Sequence, residues 1–292
     1  MSENLVDLHT HSTASDGLYS PSELLHRARE AGLRVLALTD HDTTDGIAEA
    51  RKAAQALDIE LIPGIEVNTD IGGREVHVLG YFPEYERPAF QEVLQILRDA
   101  RELRGQRMVE KLNQQGMHIS WERVREIAQG TVGRPHVAAA LLEAGYVQSV
   151  TEAFNKYIGS NCPAYVPRYK LSPEDAIHFI ASANGLPVMA HPFTQPGVEI
   201  LLERLAGMCQ AGLVGIEAYY GPYTPEQVQT LVELADQYHL IATGGSDYHG
   251  PNIHPTPLGG RYVPYEAVER LKTAAAQRRG QTPPPFQLPP PA

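Results

Sequence analysis

The chain is nearly without cysteine: Cys162 and Cys209 are its two thiols in 292 residues. Two thiols cannot build a disulfide framework, and with no C-x-x-C pair a thiolate zinc site is not expected. A reducing cytoplasm is the expected setting. Long apolar runs are missing too. Nothing approaches the roughly 18 apolar residues needed to cross a bilayer, so no membrane partner is expected. Met1-Ser2-Glu3-Asn4 has neither the basic segment nor the apolar region of a secretory signal. Positive charge is scarce, with 24 Lys and Arg against 35 Asp and Glu, a net −11. That balance argues against a broad basic groove for long nucleic acid. A small anionic substrate, held by metals and a few arginines, fits it better. The apolar content of 42% and mean hydropathy of −0.28 suit one large α/β domain, or one domain with an insertion.

Imidazole, by contrast, is concentrated. Six of the twelve histidines stand with three acids in short motifs spread along the chain. Asp7-Leu8-His9-Thr10-His11 is followed by Asp16, then by Thr39-Asp40-His41-Asp42, Gly64-Ile65-Glu66 and Val76-His77-Val78. Ala190-His191-Pro192 and Gly245-Ser246-Asp247-Tyr248-His249 come far downstream. Most of these groups follow a short apolar, strand-like run. His9 and His11, two apart on a strand, face the same side, and Asp247 and His249 repeat the spacing. A lone buried histidine is ordinarily a satisfied core or cap residue, but six at strand ends point to a shared metal site. Imidazole and carboxylate suit Mn²⁺, Fe²⁺ or Zn²⁺. A parallel β/α barrel gathers the ends of its strands at one face, where its active site lies.

The rest of the chain supports that architecture. Ser20-Pro21-Ser22-Glu23 reads as a capped helix start, and Gly32 as the helix end. Arg34 to Thr39 is a buried strand, and Asp45 is expected to cap a helix running to about Leu57. Ile59 to Val67 holds a third strand, broken by Pro63-Gly64, and Arg74 to Phe82 a fourth. From about Pro88 to Gly159 the pattern is almost wholly helical, with a capped start at Ser120. Helix starts at Ser172 and Thr224, a helix from about Val198 to Ala211, and strands at Leu186–Ala190, Val214–Tyr219 and Leu240–Gly244 complete the alternation. The expectation is an α/β fold: a distorted seven-stranded (β/α)7 barrel in two parts, 1–87 and 161–280, with a helical insertion domain at 88–160. The tail 281–292, dense in proline, reads as disordered. His254, in a proline-rich loop, reads as a lid element.

The ordered set H-x-H, a later Asp, T-D-H-D, P-G-I-E, a strand His, A-H-P and S-D-x-H resembles the PHP family, named for polymerase and histidinol phosphatase. The resemblance runs from about Leu5 to Leu271. It implies a seven-stranded barrel holding two or three divalent ions, Mn²⁺ foremost. It implies that His9, His11, Glu66 and Asp247 bind one ion, and that Glu66, His77 and His191 bind a second, with Glu66 bridging. Asp16, His41 and His249 would bind a third. Glu66, His191 and Asp247 are thereby the implied catalytic residues. Val132-Gly133-Arg134-Pro135-His136 and Ala164-Tyr165-Val166-Pro167 are similar to stand-alone members with a helical insertion. These act on nucleoside 3′,5′-bisphosphates or, from the 5′ end, on short RNA.

The implied reaction is phosphate-ester hydrolysis, for which two ions supply a hydroxide and a clamp on the phosphoryl oxygens. A second phosphate needs its own anchor. Arg134, at an apparent helix start, is the first candidate, with Arg168 and Lys170 beside it and His136 weaker. Ser12 and Thr13 directly follow H-x-H and could touch phosphate. Asp40, Asp42 and Glu217 could orient ligand imidazoles, although for Asp42 and Glu217 a surface or loop-capping acid is an equal reading. Among Tyr219, Tyr220 and Tyr223, loop packing competes with stacking on a nucleobase. The resemblance implies a phosphatase that removes the 3′-phosphate of nucleoside 3′,5′-bisphosphates and acts also on 5′-phosphorylated short oligonucleotides; a 5′-to-3′ exoribonuclease as main role, a histidinol-phosphate-type substrate and a non-catalytic metal-binding domain are the alternatives.

Overall fold

A computed structural model describes residues 5–72, 74–194, 202–251, 253 and 256–290. Seven strands form one sheet in chain order: β1 (Val6–Asp7), β2 (Val35–Leu38), β3 (Glu60–Ile71), β4 (Arg74–Tyr81), β5 (Leu186–Met189), β6 (Gly215–Tyr220) and β7 (Ile241–Gly245). The edges approach each other. Leu8 donates its amide to Gly244 at 3.2 Å, and Thr10 bridges Tyr248 in parallel. The sheet is thus a nearly closed barrel. Asp7 fastens the seam: it accepts the Ser246 amide and hydroxyl at 2.9 and 2.6 Å, and the Gly259 amide at 2.9 Å.

Two strand expectations are corrected. The barrel is not parallel throughout, because β4 runs antiparallel to both β3 and β5. β3 and β4 form a long hairpin, and Gly72 takes φ +59 at its turn. His77 therefore enters the site from within a strand, opposite Asn68, rather than from a strand end. Nor does Pro63-Gly64 break β3. The Pro63 carbonyl accepts the Phe82 amide at 2.8 Å, and a Cβ at Gly64 would sit 2.8 Å from the Thr39 side chain. Glycine is what lets β2 and β3 come this close.

Helices α1 (Pro21–Glu30) and α2 (Ile47–Leu57) cover the first strands. Ser20 and Glu23 cap α1 reciprocally, at 3.2 and 2.9 Å. Asp45 does not cap α2; Gly46 holds that position with no side-chain bond. α7 (Pro173–Ala181), α8 (Leu205–Gln210), α9 (Pro225–Gln237) and α10 (Tyr265–Arg278) complete the outer layer. The residues before 202 in the helix expected from Val198, and His254, lie outside the described residues. No helix among the described residues is long and apolar enough to cross a membrane.

Between β4 and β5 lie α3 (Pro88–Gln114), α4 (Trp121–Ala128), α5 (Arg134–Glu143) and α6 (Val150–Ala153), the last running into a π turn at Phe154–Ile158. They share an apolar cluster of their own, including Met108, Leu112, Val137, Leu141 and Ile158. Each such side chain, fully buried, contributes about 1.5–3 kcal/mol. Trp121 packs on this cluster over Gly105, where a Cβ would lie 2.7 Å from its ring. The proline-rich tail takes neither helix nor strand, as its composition predicts. It is not loose, however: Phe286 and Leu288 pack against the barrel's main core.

Candidate metal centre and its basic neighbour

Five imidazoles converge on Glu66, which is wholly buried. Its Oε2 lies 3.2 Å from His9 Nε2, 3.2 Å from His11 Nε2 and 3.0 Å from His41 Nδ1. Its Oε1 lies 2.8 Å from His77 Nδ1 and 3.0 Å from His191 Nε2. Asp247 Oδ1 stands 3.4 and 3.2 Å from the same nitrogens of His9 and His11. Asp16 Oδ1 is 3.4 Å from His249 Nε2 and 3.9 Å from His41 Nε2. The structure thus brings together all nine groups singled out in the sequence. Three subsets have their ligand atoms within 4.8 Å of one another: His9, His11, Glu66 and Asp247; His11, Asp16, His41 and His249; and His41, Glu66 and His77.

The chemistry of this set fits divalent metal. Among the described residues, His9 Nε2, His11 Nε2, Asp16 Oδ1, His41 Nδ1 and Glu66 Oε2 are buried and lack a hydrogen-bond partner. Buried polar atoms are seldom left this way, and here they all face one another. Without ions their protonation is divided. Burial pushes His41 down to about 3, which Glu66 and Asp16 do not offset. For His249, burial is outweighed by Asp16 and Asp247, and its value rises to about 10. Divalent cations would replace that strained proton distribution, because both carboxylate and neutral imidazole can ligate them.

The surrounding groups hold the cluster in place. Glu217, fully buried, accepts from His9 Nδ1 at 3.0 Å and from the His191 amide at 2.8 Å. That fixes which His9 nitrogen faces inward. Asp247 Oδ2 accepts from Tyr220 Oη at 2.9 Å. Asp42, His191 and Asp247 all have positive φ, at 53, 24 and 55, where the chain turns off its strand beside the cluster. Asp40 and Asp42 orient no imidazole. Asp40 accepts from the Ser12 amide and hydroxyl at 2.7 Å each and from Ser15 Oγ at 2.6 Å. Ser12 is therefore a buried brace for the first loop rather than a phosphate contact. Thr13, half-buried, lies beside it. Tyr220 and Tyr223 are also buried, Tyr223 accepting the Phe193 amide at 2.7 Å, so neither is free to stack on a base.

A second, basic cluster adjoins the first. Asp42 accepts from Arg101 Nε at 2.7 Å and Arg168 Nη2 at 3.1 Å. Arg101 also donates to Asn68, which in turn meets His77 Nε2 at 2.7 Å. Glu75 pairs with Arg134 at 2.5 Å and Lys170 at 2.9 Å, and lies 3.9 Å from His77. Arg104, 5% exposed, has no carboxylate partner among the described residues. Burial, then Arg168, Arg101 and Arg134, holds its pKa well below the usual guanidinium range. Arg168 is buried too and lowered to about 10, chiefly by desolvation. His136 accepts the Gly133 amide on Nδ1 at 2.9 Å, so that nitrogen caps α5. A Cβ at Gly133 would lie 3.7 Å from Asp16 and 3.8 Å from Arg101, which sets the α5 N-terminus between the two clusters. Arg101 and Arg104 escaped the sequence reading because α3 is rich in charged residues on every side. Their one visible signal is arginine at a spacing of three facing an otherwise apolar stripe.

A nearly closed seven-stranded barrel with this imidazole and carboxylate centre defines a phosphoesterase-type hydrolase, and the comparisons agree. The PHP domain model matches residues 7–158. A 5′-3′ exoribonuclease of Haemophilus influenzae is 37% identical over 246 residues, 84% of this chain and 90% of that one. A 3′,5′-nucleoside bisphosphate phosphatase of Chromobacterium violaceum is 34% identical over 249 residues, 84% of this chain and 87% of its own. A solved Chromobacterium violaceum amidohydrolase with bound sulfate superposes with a TM-score of 0.84 at 32% identity, covering 92% of this chain and 96% of that one. The chain belongs to the PHP family.

Proposed function

We propose that the protein is a metal-dependent phosphatase that removes the 3′-phosphate of nucleoside 3′,5′-bisphosphates. It would also act on short 5′-phosphorylated oligonucleotides. The observation that carries this reading is Arg104, a buried cation with no carboxylate ion pair among the described residues, in the basic cluster that adjoins the imidazole centre. Five cations, Arg101, Arg104, Arg134, Arg168 and Lys170, face two carboxylates, Asp42 and Glu75. A buried excess of positive charge calls for an anion. A phosphate on the substrate, distinct from the one cleaved, would supply it. The name of the Chromobacterium violaceum phosphatase relative supports the same reading.

His9, His11, Glu66 and Asp247 would hold one ion, Glu66, His77 and His191 a second, and Asp16, His41 and His249 a third, with Mn²⁺ the preferred metal. When bound, such ions acidify water and neutralise phosphoryl oxygens. The chain's own residues do the rest. Glu66 has one oxygen towards each side of the centre and so is placed to bridge. Tyr220 and Glu217 fix the orientation of Asp247 and His9. Arg104 would hold the substrate's 5′-phosphate. Arg134 and Lys170 would turn to it from Glu75, and Arg168 would lend field strength while remaining on Asp42. Binding energy from that remote phosphate aligns the scissile ester, a larger gain for the transition state than for a loosely held ground state.

The test is phosphate release by Mn²⁺-loaded protein on adenosine 3′,5′-bisphosphate, 3′-AMP, AMP, a 5′-phosphorylated dinucleotide and histidinol phosphate. A kcat/KM for the bisphosphate at least about 100-fold above that for 3′-AMP is expected, the value of one well-formed buried phosphate contact. Equal rates on histidinol phosphate would overturn the assignment. A dinucleotide turned over faster than the bisphosphate would favour the exoribonuclease role borne by the Haemophilus relative.

A further inference from the structure

The segment that carries Arg168 and Lys170 has little backbone support of its own. Among the described residues, no amide from Val166 to Lys170 donates to another backbone group. Its far end is pinned to β3, where Leu171 accepts the Asp70 amide at 3.1 Å and bridges Thr69. Its middle is held from the other side by the C-terminal tail. Tyr169, between the two cations, donates its hydroxyl to the Pro289 carbonyl at 2.7 Å. The Tyr169 carbonyl in turn accepts from Arg168 Nη1 at 3.2 Å.

The tail is itself anchored. Phe286 meets Phe179 with ring centroids 5.5 Å apart, and Phe179 stacks on Phe90 at 4.4 Å. Phe90 lies in the first turn of α3, the helix that bears Arg101 and Arg104. Upstream, Asn184 donates to the Gln281 carbonyl at 3.3 Å. A stretch with five prolines in residues 282–290 is ill suited to a sheet or helix, but each proline narrows its backbone freedom, so ordering it costs less entropy. It is therefore suited to lie as a stiff strip between two fixed points.

We propose that residues 282–290 form a strap that positions the Arg168–Lys170 segment at the second-phosphate site, with Phe286 and Tyr169 as the positioning residues. The inference rests on the function assigned above to that basic cluster. No described contact joins the strap to the imidazole centre, so its influence reaches the substrate through the cation segment alone.

Two full-length variants test it, Phe286→Ser and Tyr169→Phe. Each is expected to raise KM for adenosine 3′,5′-bisphosphate about fivefold, the effect of losing one modest contact. The kcat on that substrate, and both constants for p-nitrophenyl phosphate, should not change. Phe286→Tyr should restore the wild-type KM. Amide hydrogen exchange across residues 165–171 should be faster in both variants, and this readout does not depend on the substrate. Unchanged exchange would overturn the strap. Faster exchange with an unchanged bisphosphate KM would overturn its link to the phosphate site, as would an equal loss of rate on every substrate. A wild-type protein indifferent to the second phosphate would sink the functional reading instead, and exchange would still decide the strap.

Discussion

Two residues carry most of the weight, Glu66 and Arg104, for opposite reasons. Glu66 is a buried anion with five imidazoles around it, whereas Arg104 is a buried cation with no carboxylate ion pair among the described residues. Glu66→Gln keeps the shape but removes the charge that would hold the proposed ions. Metal content measured by atomic emission should fall by at least one ion per chain, and turnover by about 1000-fold or more. Arg104→Met should divide stability from function. Replacing an uncompensated buried charge by an apolar side chain is expected to stabilise the phosphate-free protein by about 1–2 kcal/mol. The same change should raise KM for the bisphosphate at least about tenfold, as expected for a lost charged hydrogen bond. Melting curves and steady-state kinetics on one preparation read both effects. A destabilised variant with unchanged KM would assign Arg104 a purely structural role.

At the scale of elements, the hairpin of β3 and β4 and the long helix α3 build the basic cluster together. β3 supplies Asn68, β4 supplies Glu75 and His77, and α3 supplies Arg101 and Arg104. Asp42 joins them to the barrel. Burial raises its carboxyl, but Arg101 and Arg168 outweigh this and hold it below its ordinary 3.8. Asp42→Asn would leave two buried guanidiniums uncompensated and should cost about 3 kcal/mol at pH 7 by denaturant unfolding. Because the folded value is depressed, that stability is fully present above the unfolded value. It is lost as pH falls through the folded one. The gap between wild type and variant should therefore narrow below about pH 4. A gap that is the same at pH 7 and pH 3 would show that charge is not what Asp42 contributes. Much of this layer was hidden in the sequence. Short apolar runs and Ser or Thr caps made strands and helix starts legible, since those signals are local. The reversal of β4 was not, because strand direction depends on a hairpin turn that leaves no distinct period. The roles of Ser12, Asp40 and Arg168 were hidden likewise, since each is set by a partner at least 25 positions away.

For the whole molecule, the metal centre acts as a clasp as well as a site. Its candidate ligands come from β3, β4 and the segments after β1, β2, β5 and β7, so ions bound there would tie the barrel's two edges together. This part was legible at the outset, because imidazole and carboxylate in ordered motifs have few other joint explanations. Stripping metal with a chelator should lower the melting temperature by roughly 5 °C or more, and Mn²⁺ should restore it, by simple mass action on the folded state. A melting temperature indifferent to chelator and metal would mean that the cluster is satisfied without ions. The central claim, however, concerns where the substrate's two phosphates sit. It is tested most directly by identifying the nucleoside product of adenosine 3′,5′-bisphosphate cleavage, using chromatography against authentic standards. If the basic cluster holds the 5′-phosphate and the imidazole centre cleaves the other, the sole product is 5′-AMP. Accumulation of 3′-AMP would place the 5′-ester at the metals and contradict the account.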